Sequence, residues 1–327
     1  MTKRVLSGMR PTGPLHLGHL FGALSNWVRL QKDYDCFFMI ADWHALMSEY
    51  ENPARIQEYI FDCAVDWLSC GIDHKKSTIF IQSHVKEHLE MAMVLSDITP
   101  LAWLERCPTY KEQLREQKTR DLATYGFLGY PVLQAADILL YKADAVPVGE
   151  DQLAHLELTR EIARRFLHFY KKPVFPEPRA LLTKTARLLG TDNRKMSKTF
   201  NNFIALSDTP DAIRKKVYSM ITDPKRIKRE DAGHPDICNV FSYYNVLKPD
   251  VAPLLSRECT AALIGCTDDK KRLAEIIIEF LEPIREQRKI YTGDKAQVKK
   301  ILDEGDKKAH DEASDTINKV KKLVGLA

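Results

Sequence analysis

Two histidines three residues apart, His16 and His19, flank Gly18 in the segment Pro11-Thr12-Gly13-Pro14-Leu15-His16-Leu17-Gly18-His19. The segment follows the short apolar run Val5-Leu6, and an amphipathic stretch continues from Gly18 to about Leu30. Strand, tight loop and helix N-terminus in that order gather backbone N–H groups and the positive end of a helix dipole, a setting suited to phosphate. Gly18 has no Cβ, which leaves space for a flat ring such as adenine against the backbone. Both histidines can turn toward one ligand. Much farther along, Lys195-Met196-Ser197-Lys198-Thr199 offers two lysines at the same spacing. They follow a Gly/Asp/Asn-rich stretch, Gly190 to Arg194, that reads as a mobile loop. Taken singly, each segment is equally well a surface histidine pair or a solvated basic loop; taken together they suit a nucleotide whose phosphates change charge during reaction.

A third signal is a lone acid in an apolar setting. Asp137 falls in the middle of the run from Gly129 to Tyr141, whose apolar residues mark a largely buried helix with Pro131 at its expected start. A buried carboxylate requires a donor. An indole has one N–H and no acceptor, so an acidic acceptor in an apolar pocket is a reader for it. An Asp paired with a neighbouring backbone or basic group satisfies the same spacing.

These residues need a scaffold, and the rest of the chain describes one. Its 327 residues are 44% hydrophobic and 29% charged, the balance of a globular protein with a full core. Val5-Leu6, Cys36 to Ala41, Ser77 to Gln82 and Asp144 to Pro147 read as strands, with helix-length segments from Gly18 to Gln31 and Pro53 to Cys70. The alternation predicts an α/β fold, a Rossmann-like doubly wound parallel sheet. Ligands of such sheets sit beyond the strands' carboxyl ends, near the first loop and the Gly149-Glu150-Asp151-Gln152 turn. After residue 203 the pattern turns helical, in Cys259 to Ile264, Lys270 to Gln287, Ala296 to Glu304 and Lys307 to Leu323. This predicts two domains, 1–203 and an α-helical C-terminal domain, 204–327. Arg214 to Arg229 carries seven basic residues against a lone acid, Asp223, which suits a phosphate backbone or simply a solvated face. No apolar stretch reaches membrane-span length, and Met1 to Arg10 lacks the apolar core of a secretory signal, so a cytoplasmic protein is expected. Seven scattered cysteines argue against a disulfide framework.

The paired segments around His16 and Lys195 resemble the HIGH and KMSKS signatures of class I aminoacyl-tRNA synthetases. The Gly129–Tyr141 helix, Val146 to Gln152, His155 to Arg160 and Ala41 to Leu46 resemble the bacterial-type tryptophanyl-tRNA synthetase family, from Leu6 to roughly Gly325. The tyrosine enzymes share the fold, but their bacterial form usually has Phe-Gly where this chain has Met196-Ser197.

The resemblance implies activation of L-tryptophan with MgATP, release of pyrophosphate and transfer to tRNA(Trp). It implies that Asp137 accepts the indole N–H. Tyr130, Gln134 and Gln152 would hold the amino acid's ammonium and carboxylate, with His44 and Met9 at the pocket edge. His16, His19, Lys195 and Lys198 would stabilise phosphate charge, with Met196, Ser197 and Thr199 completing that segment and Lys111 adding a further phosphate contact. Gly18 and the backbone of Arg10, Pro11 and Thr12 would take adenosine and triphosphate; Gly149, Glu150 and Asp151 would take ribose. Thr199 stands where serine is commoner, and Gln134 where many relatives have methionine. The helical domain would read the anticodon, and His84 to Tyr110 would form a homodimer interface. Cys238, Cys259 and Cys266 are a candidate metal set. A subset of the family holds an iron–sulfur cluster in this region through four cysteines; here Asp269 occupies the fourth place, and buried free thiols are the plain alternative. Two other classes share parts of the pattern. One is a nucleotidyl-transferring enzyme that activates a carboxylate without tRNA; the other is a non-catalytic paralogue.

Overall fold

A computed structural model describes residues 2–108, 110–111, 123–182, 188–198 and 200–327. Thr199 and Thr109, each part of a segment singled out above, lie outside the described residues. Five strands, β1 (Arg4–Met9), β2 (Asp35–Ile40), β3 (Ser77–Ile81), β4 (Ala145–Val148) and β5 (Arg179–Leu182), form one sheet in the order β3-β2-β1-β4-β5. Every pairing is parallel. β2 and β3 are buried along nearly their whole length, with Phe37, Phe38 and Phe80 among their residues, as strands covered on both faces require. The strand order reverses at β1. There β1 pairs with β4 through Val5 and Ala145 alone, while β2 pairs with β1 along its whole length. Pro147 of β4 has no N–H to give a neighbour, and beyond Ala145 the two strands part.

The chain forms two compact units rather than the single division near residue 203. The first comprises Met1–Thr12, Asn26–Thr183 and Asp294–Ala327. It holds the sheet, with the Ile56–Ser69, Glu87–Ile98, Tyr125–Leu140 and Leu153–Tyr170 helices. Its last element, the Lys295–Val324 helix, packs on β3 and on the Glu87–Ile98 helix. The reason is local. Gly305 brings the helix so close to β3 that a Cβ there would lie 1.8 Å from the Ile79 carbonyl oxygen. One residue on, Asp306 accepts the Ile81 N–H at 2.7 Å. Arg4 joins Glu312 and Lys142 joins Asp315 on the same helix. The two helices expected around Gly305 are thus one, with glycine chosen for close approach and not for a break.

The second unit comprises Gly13–Ser25 and Lys184–Gly293. Its helices, Pro210–Tyr218, Asn239–Leu247, Ala252–Thr260 and Cys266–Gly293, surround a core that includes Ile213, Val217, Tyr243, Tyr244, Leu273 and Ile277. Arg214 forks onto Glu275 to join the first and last of these. Among the described residues no helix is long and apolar enough to cross a membrane.

Three further sequence expectations change. The helix expected to open at Pro131 begins at Tyr125, capped by the Thr124 hydroxyl, which accepts the Phe127 N–H at 3.2 Å. Pro131 lies inside it, and its ring removes one intrahelical bond. The Gly18–Gln31 helix is a helical run from Leu17 to Leu30 with a π-type turn at Leu20–Leu24, where the Ser25 hydroxyl donates to the Leu20 carbonyl. β5 was not expected at all: three prolines precede it, and both its end residues are exposed.

Candidate active site

At the carboxyl ends of β1 and β4, where the strands part, the first unit encloses a cavity of about 290 Å³. Its wall is mostly apolar, with Leu6, Met39, Ala41, Phe127, Ile138, Val146 and Val148. Into it project Arg10, His44, Tyr130, Gln134, Asp137, Gln152 and His155. The residues expected around an amino acid are therefore gathered in one place, Met9 excepted. Met9 is half-buried, does not line the cavity and accepts the Ala41 N–H at its carbonyl. Arg10, expected on the nucleotide side, lines this same cavity.

Asp137 is 2% exposed, and both its oxygens have partners. Its Oδ2 accepts His44 Nε2–H at 2.8 Å, and its Oδ1 accepts Gln82 Nε2–H at 2.8 Å and His88 Nδ1–H at 2.6 Å. Burial alone would raise its pKa, but the hydrogen bonds from His44 and His88 outweigh it and hold the carboxyl at about 2. The group is a charged acceptor at neutral pH. Gln82 and His88 were missed in the sequence because they lie some fifty residues away and do not stand out from polar neighbours such as Ser83 and Glu87.

His155 joins the wall to the rest of the first unit. Its Nε2 meets the Tyr130 hydroxyl at 2.9 Å and its Nδ1 meets Cys107 Sγ at 3.4 Å. Burial lowers its pKa to about 4, so the ring is neutral. The turn after β4 is tight. A Cβ on Gly149 would lie 2.6 Å from Asp151 Oδ1, so the carboxylate folds over the glycine, and Asp151 Oδ2 accepts Gln152 Nε2–H at 3.0 Å. Glu150 is exposed beside it. Pro11 is buried, and the Thr12 N–H donates to the Arg10 carbonyl at 3.0 Å. Lys111 is exposed and does not line the cavity.

The second unit holds the other constellation. His16 caps the helical run: its Nδ1 accepts the Gly18 N–H at 3.1 Å, while its own N–H donates to His19 Nδ1 at 3.2 Å. The two imidazoles lie 3.8 Å apart between centroids. This corrects the expectation of free backbone donors, because the Leu17 N–H is also taken, by the Ile204 carbonyl at 3.1 Å. Gly18 is required by these neighbours: a Cβ would fall 2.9 Å from the His16 ring and 3.4 Å from Met196 Sδ. Burial, then the positive charges of Lys198 and Lys216, lower His16 to about 3. Burial, then His16 and Lys198, hold His19 well below its ordinary value. Both rings are neutral donors or acceptors at pH 7, and the positive charge of the constellation belongs to its lysines.

Lys198 Nζ donates to the Gly13 carbonyl at 2.8 Å. Lys195 is exposed and bridges Leu189 in antiparallel register; Met196 is buried and Ser197 half-buried. Asn202, unmarked in the sequence, organises the segment. It is 2% exposed; its Oδ1 accepts the Ser197 N–H at 2.8 Å, and its Nδ2 donates to Asp192 at 2.7 Å and to the Lys195 carbonyl at 3.1 Å. The Gly/Asp/Asn-rich stretch is thus fastened from within. In the basic stripe, Arg214 and Lys216 are engaged by Glu275, Asp211 and Asp208, and Lys225 and Lys228 are exposed.

The candidate metal set does not fit a cluster. Cys238 and Cys259 are buried thiols whose pKa burial pushes up, and Asp269 Oδ1 is taken by the Tyr244 hydroxyl at 2.8 Å. Among the described residues no group of three or more His, Cys, Asp or Glu is placed to hold a metal ion.

A parallel sheet in this order, with a ligand cavity at its reversal point and a separate His/Lys constellation, is the arrangement of a nucleotide-dependent class I synthetase. The model for the tRNA synthetases class I (W and Y) matches residues 2–282, and the chain belongs to that family of aminoacyl-tRNA synthetases. It is 48% identical to the tryptophan–tRNA ligase of Thermotoga maritima over 326 residues, 99% of each chain. It is 41% identical to that of Aquifex aeolicus, over 99% of this chain and 100% of the relative. The tryptophanyl-tRNA synthetase of Campylobacter jejuni, solved with ADP and tryptophan, superposes with a TM-score of 0.90 at 33% identity. That match covers 99% of this chain and 100% of that one.

Proposed function

We propose that this chain is a tryptophan–tRNA ligase. It activates L-tryptophan with MgATP to tryptophanyl-adenylate, releases pyrophosphate and transfers the tryptophanyl group to tRNA(Trp). The observation that carries the choice of amino acid is the ionised Asp137, the one carboxylate among the described residues lining a mostly apolar cavity, an acceptor suited to a ring N–H. Relatives named for this activity over the full chain length support the same reading.

In the proposed reaction the tryptophan carboxylate attacks the α-phosphorus of ATP in line, and magnesium pyrophosphate leaves. No covalent protein intermediate is needed, so positioning and charge stabilisation supply the rate. Asp137 takes the indole N–H; Tyr130, Gln134 and Gln152 hold the ammonium and carboxylate, with His44 at the pocket edge. Lys195 and Lys198 carry the charge that meets the phosphates, with Lys111 as a further contact. His16 and His19, being neutral, act by hydrogen bonding. Gly18, the Arg10–Thr12 backbone, Gly149 to Asp151 and the Met196–Thr199 segment complete the nucleotide's surroundings. The terminal ribose hydroxyl of tRNA then attacks the adenylate, and the helical segments after residue 203, including exposed Lys225 and Lys228, serve the tRNA. A homodimer through His84 to Tyr110 and a cytoplasmic location belong to the same reading.

The test is amino-acid-dependent exchange of labelled pyrophosphate into ATP, with tryptophan and tyrosine side by side and Asp137→Ala as control. Exchange with tryptophan alone, lost in the variant, is expected. Exchange with tyrosine would overturn the assignment of Asp137, and exchange with neither would point to a non-catalytic paralogue.

A further inference from the structure

We infer that Gln82, His88 and Tyr141 form a relay that fixes which face of Asp137 is presented to the cavity, and that this relay sets the preference for a ring N–H. The inference rests on the reading of Asp137 given above. A carboxylate has about four lone-pair sites. Oδ1 of Asp137 already receives two donors, Gln82 at 2.8 Å and His88 at 2.6 Å, from residues that do not line the cavity. Oδ2 receives one, from His44, which does line it. The two oxygens are therefore unequal: Oδ1 is saturated from behind, and the capacity left for a ring N–H is on Oδ2.

The proton positions follow from the partners. A carboxylate cannot donate, so the His88 proton facing it is on Nδ1. The Tyr141 phenol, whose pKa burial holds well above its ordinary value, keeps its proton and donates to His88 Nε2 at 2.8 Å. Tyr141 O–H to His88 to Asp137 is one polarised chain, and each link fixes the tautomer of the next. Gln82, His88 and Tyr141 are each fully buried. They come from the end of β3, the Glu87–Ile98 helix and the residue that closes the Tyr125–Leu140 helix. Phe80 stacks on His88 with centroids 5.9 Å apart, and Phe37 lies 5.1 Å from Tyr141. Gln82 gives its amide N–H to Asp137 although no donor among the described residues reaches its buried Oε1. Leaving that oxygen unpartnered is costly for a residue that merely fills the core.

These three are positioning residues, since none lines the cavity. Their test uses tryptophan and its benzothiophene isostere, in which sulfur replaces the ring N–H, as paired substrates in pyrophosphate exchange. The reading is the ratio of the two kcat/KM values. His88→Leu should lower that ratio roughly tenfold and Tyr141→Phe about threefold, with turnover of the isostere retained, because only the N–H contact is weakened. His88→Asn, whose amide can stand in for Nδ1–H, should restore most of the ratio. Should His88→Leu fail to fold, Tyr141→Phe carries the test. Asp137→Asn separates the two levels of the account. If it leaves the ratio unchanged, the reading of Asp137 fails and the relay with it. If it collapses the ratio while the His88 and Tyr141 variants leave it unchanged, or reduce both substrates in parallel, the relay alone is overturned.

Discussion

The two units hold their functional residues by different means. In the first, the cavity acid is fixed by other side chains: Asp137 is held by His44, Gln82 and His88, and His88 is itself packed against the rings of Phe80 and Tyr141. In the second, the histidines and lysines are fixed by backbone. His16 caps its own helix, Lys198 reaches the Gly13 carbonyl, and Asn202 holds the Lys195 segment through main-chain groups. A side-chain network specifies one shape and one charge, as selection among similar amino acids requires. This fastening leaves Lys195 exposed and Lys198 half-buried with its ammonium on a backbone carbonyl, an arrangement suited to charge that must meet phosphate during reaction. Under the proposed function, selection falls to the first unit and charge stabilisation to the second.

Removing a charge from the second unit should show the largest effect. Lys198→Ala is expected to lower kcat for tryptophan-dependent pyrophosphate exchange by roughly 10²–10³, the cost of losing one preorganised stabilising group. A loss confined to KM for tryptophan would break the division. Asn202→Ala should act on the same unit more weakly, since it loosens the Lys195 segment without removing a charge. A fall in kcat of about tenfold is expected, with selection between tryptophan and its benzothiophene isostere unaltered. A change in that selection would show that the fastening serves the cavity as well.

The smallest effect is a shared acid sensitivity. His16 and His155, one in each unit, are buried with pKa values of about 3 and 4, below the ordinary 6.5. The unfolded chain binds these protons first as pH falls. Their contribution to stability is therefore complete above about 6.5 and is lost progressively toward pH 4 for His155 and pH 3 for His16, at up to about 1.4 kcal/mol per pH unit for each group. Urea midpoints between pH 7 and 5 should fall, and His155→Gln should flatten that fall. An equal slope in the variant would contradict the burial argument for His155.

How far the sequence foretold these features depended on how local they are. Asp137 was legible because one acid stands in a long apolar helix, and His16, His19, Lys195 and Lys198 because their spacing is short and repeated. The positions of four strands followed from short apolar runs. β5 did not, because an edge strand after three prolines carries little apolar signal. Gln82, His88 and Tyr141 belong to three separate elements, and only the fold brings them to one carboxylate. Asn202 reads as one more polar loop residue until its three side-chain hydrogen-bonding partners are seen. Gly305 reads as a helix break, whereas the Ile79 carbonyl against it requires a glycine within a continuous helix.

The most direct test of the division is calorimetric binding of tryptophan without ATP to wild type, Asp137→Asn and Lys198→Ala. The account predicts that Asp137→Asn weakens binding by at least tenfold and that Lys198→Ala binds as wild type does. Undiminished binding by Asp137→Asn, or its loss in Lys198→Ala, would contradict it.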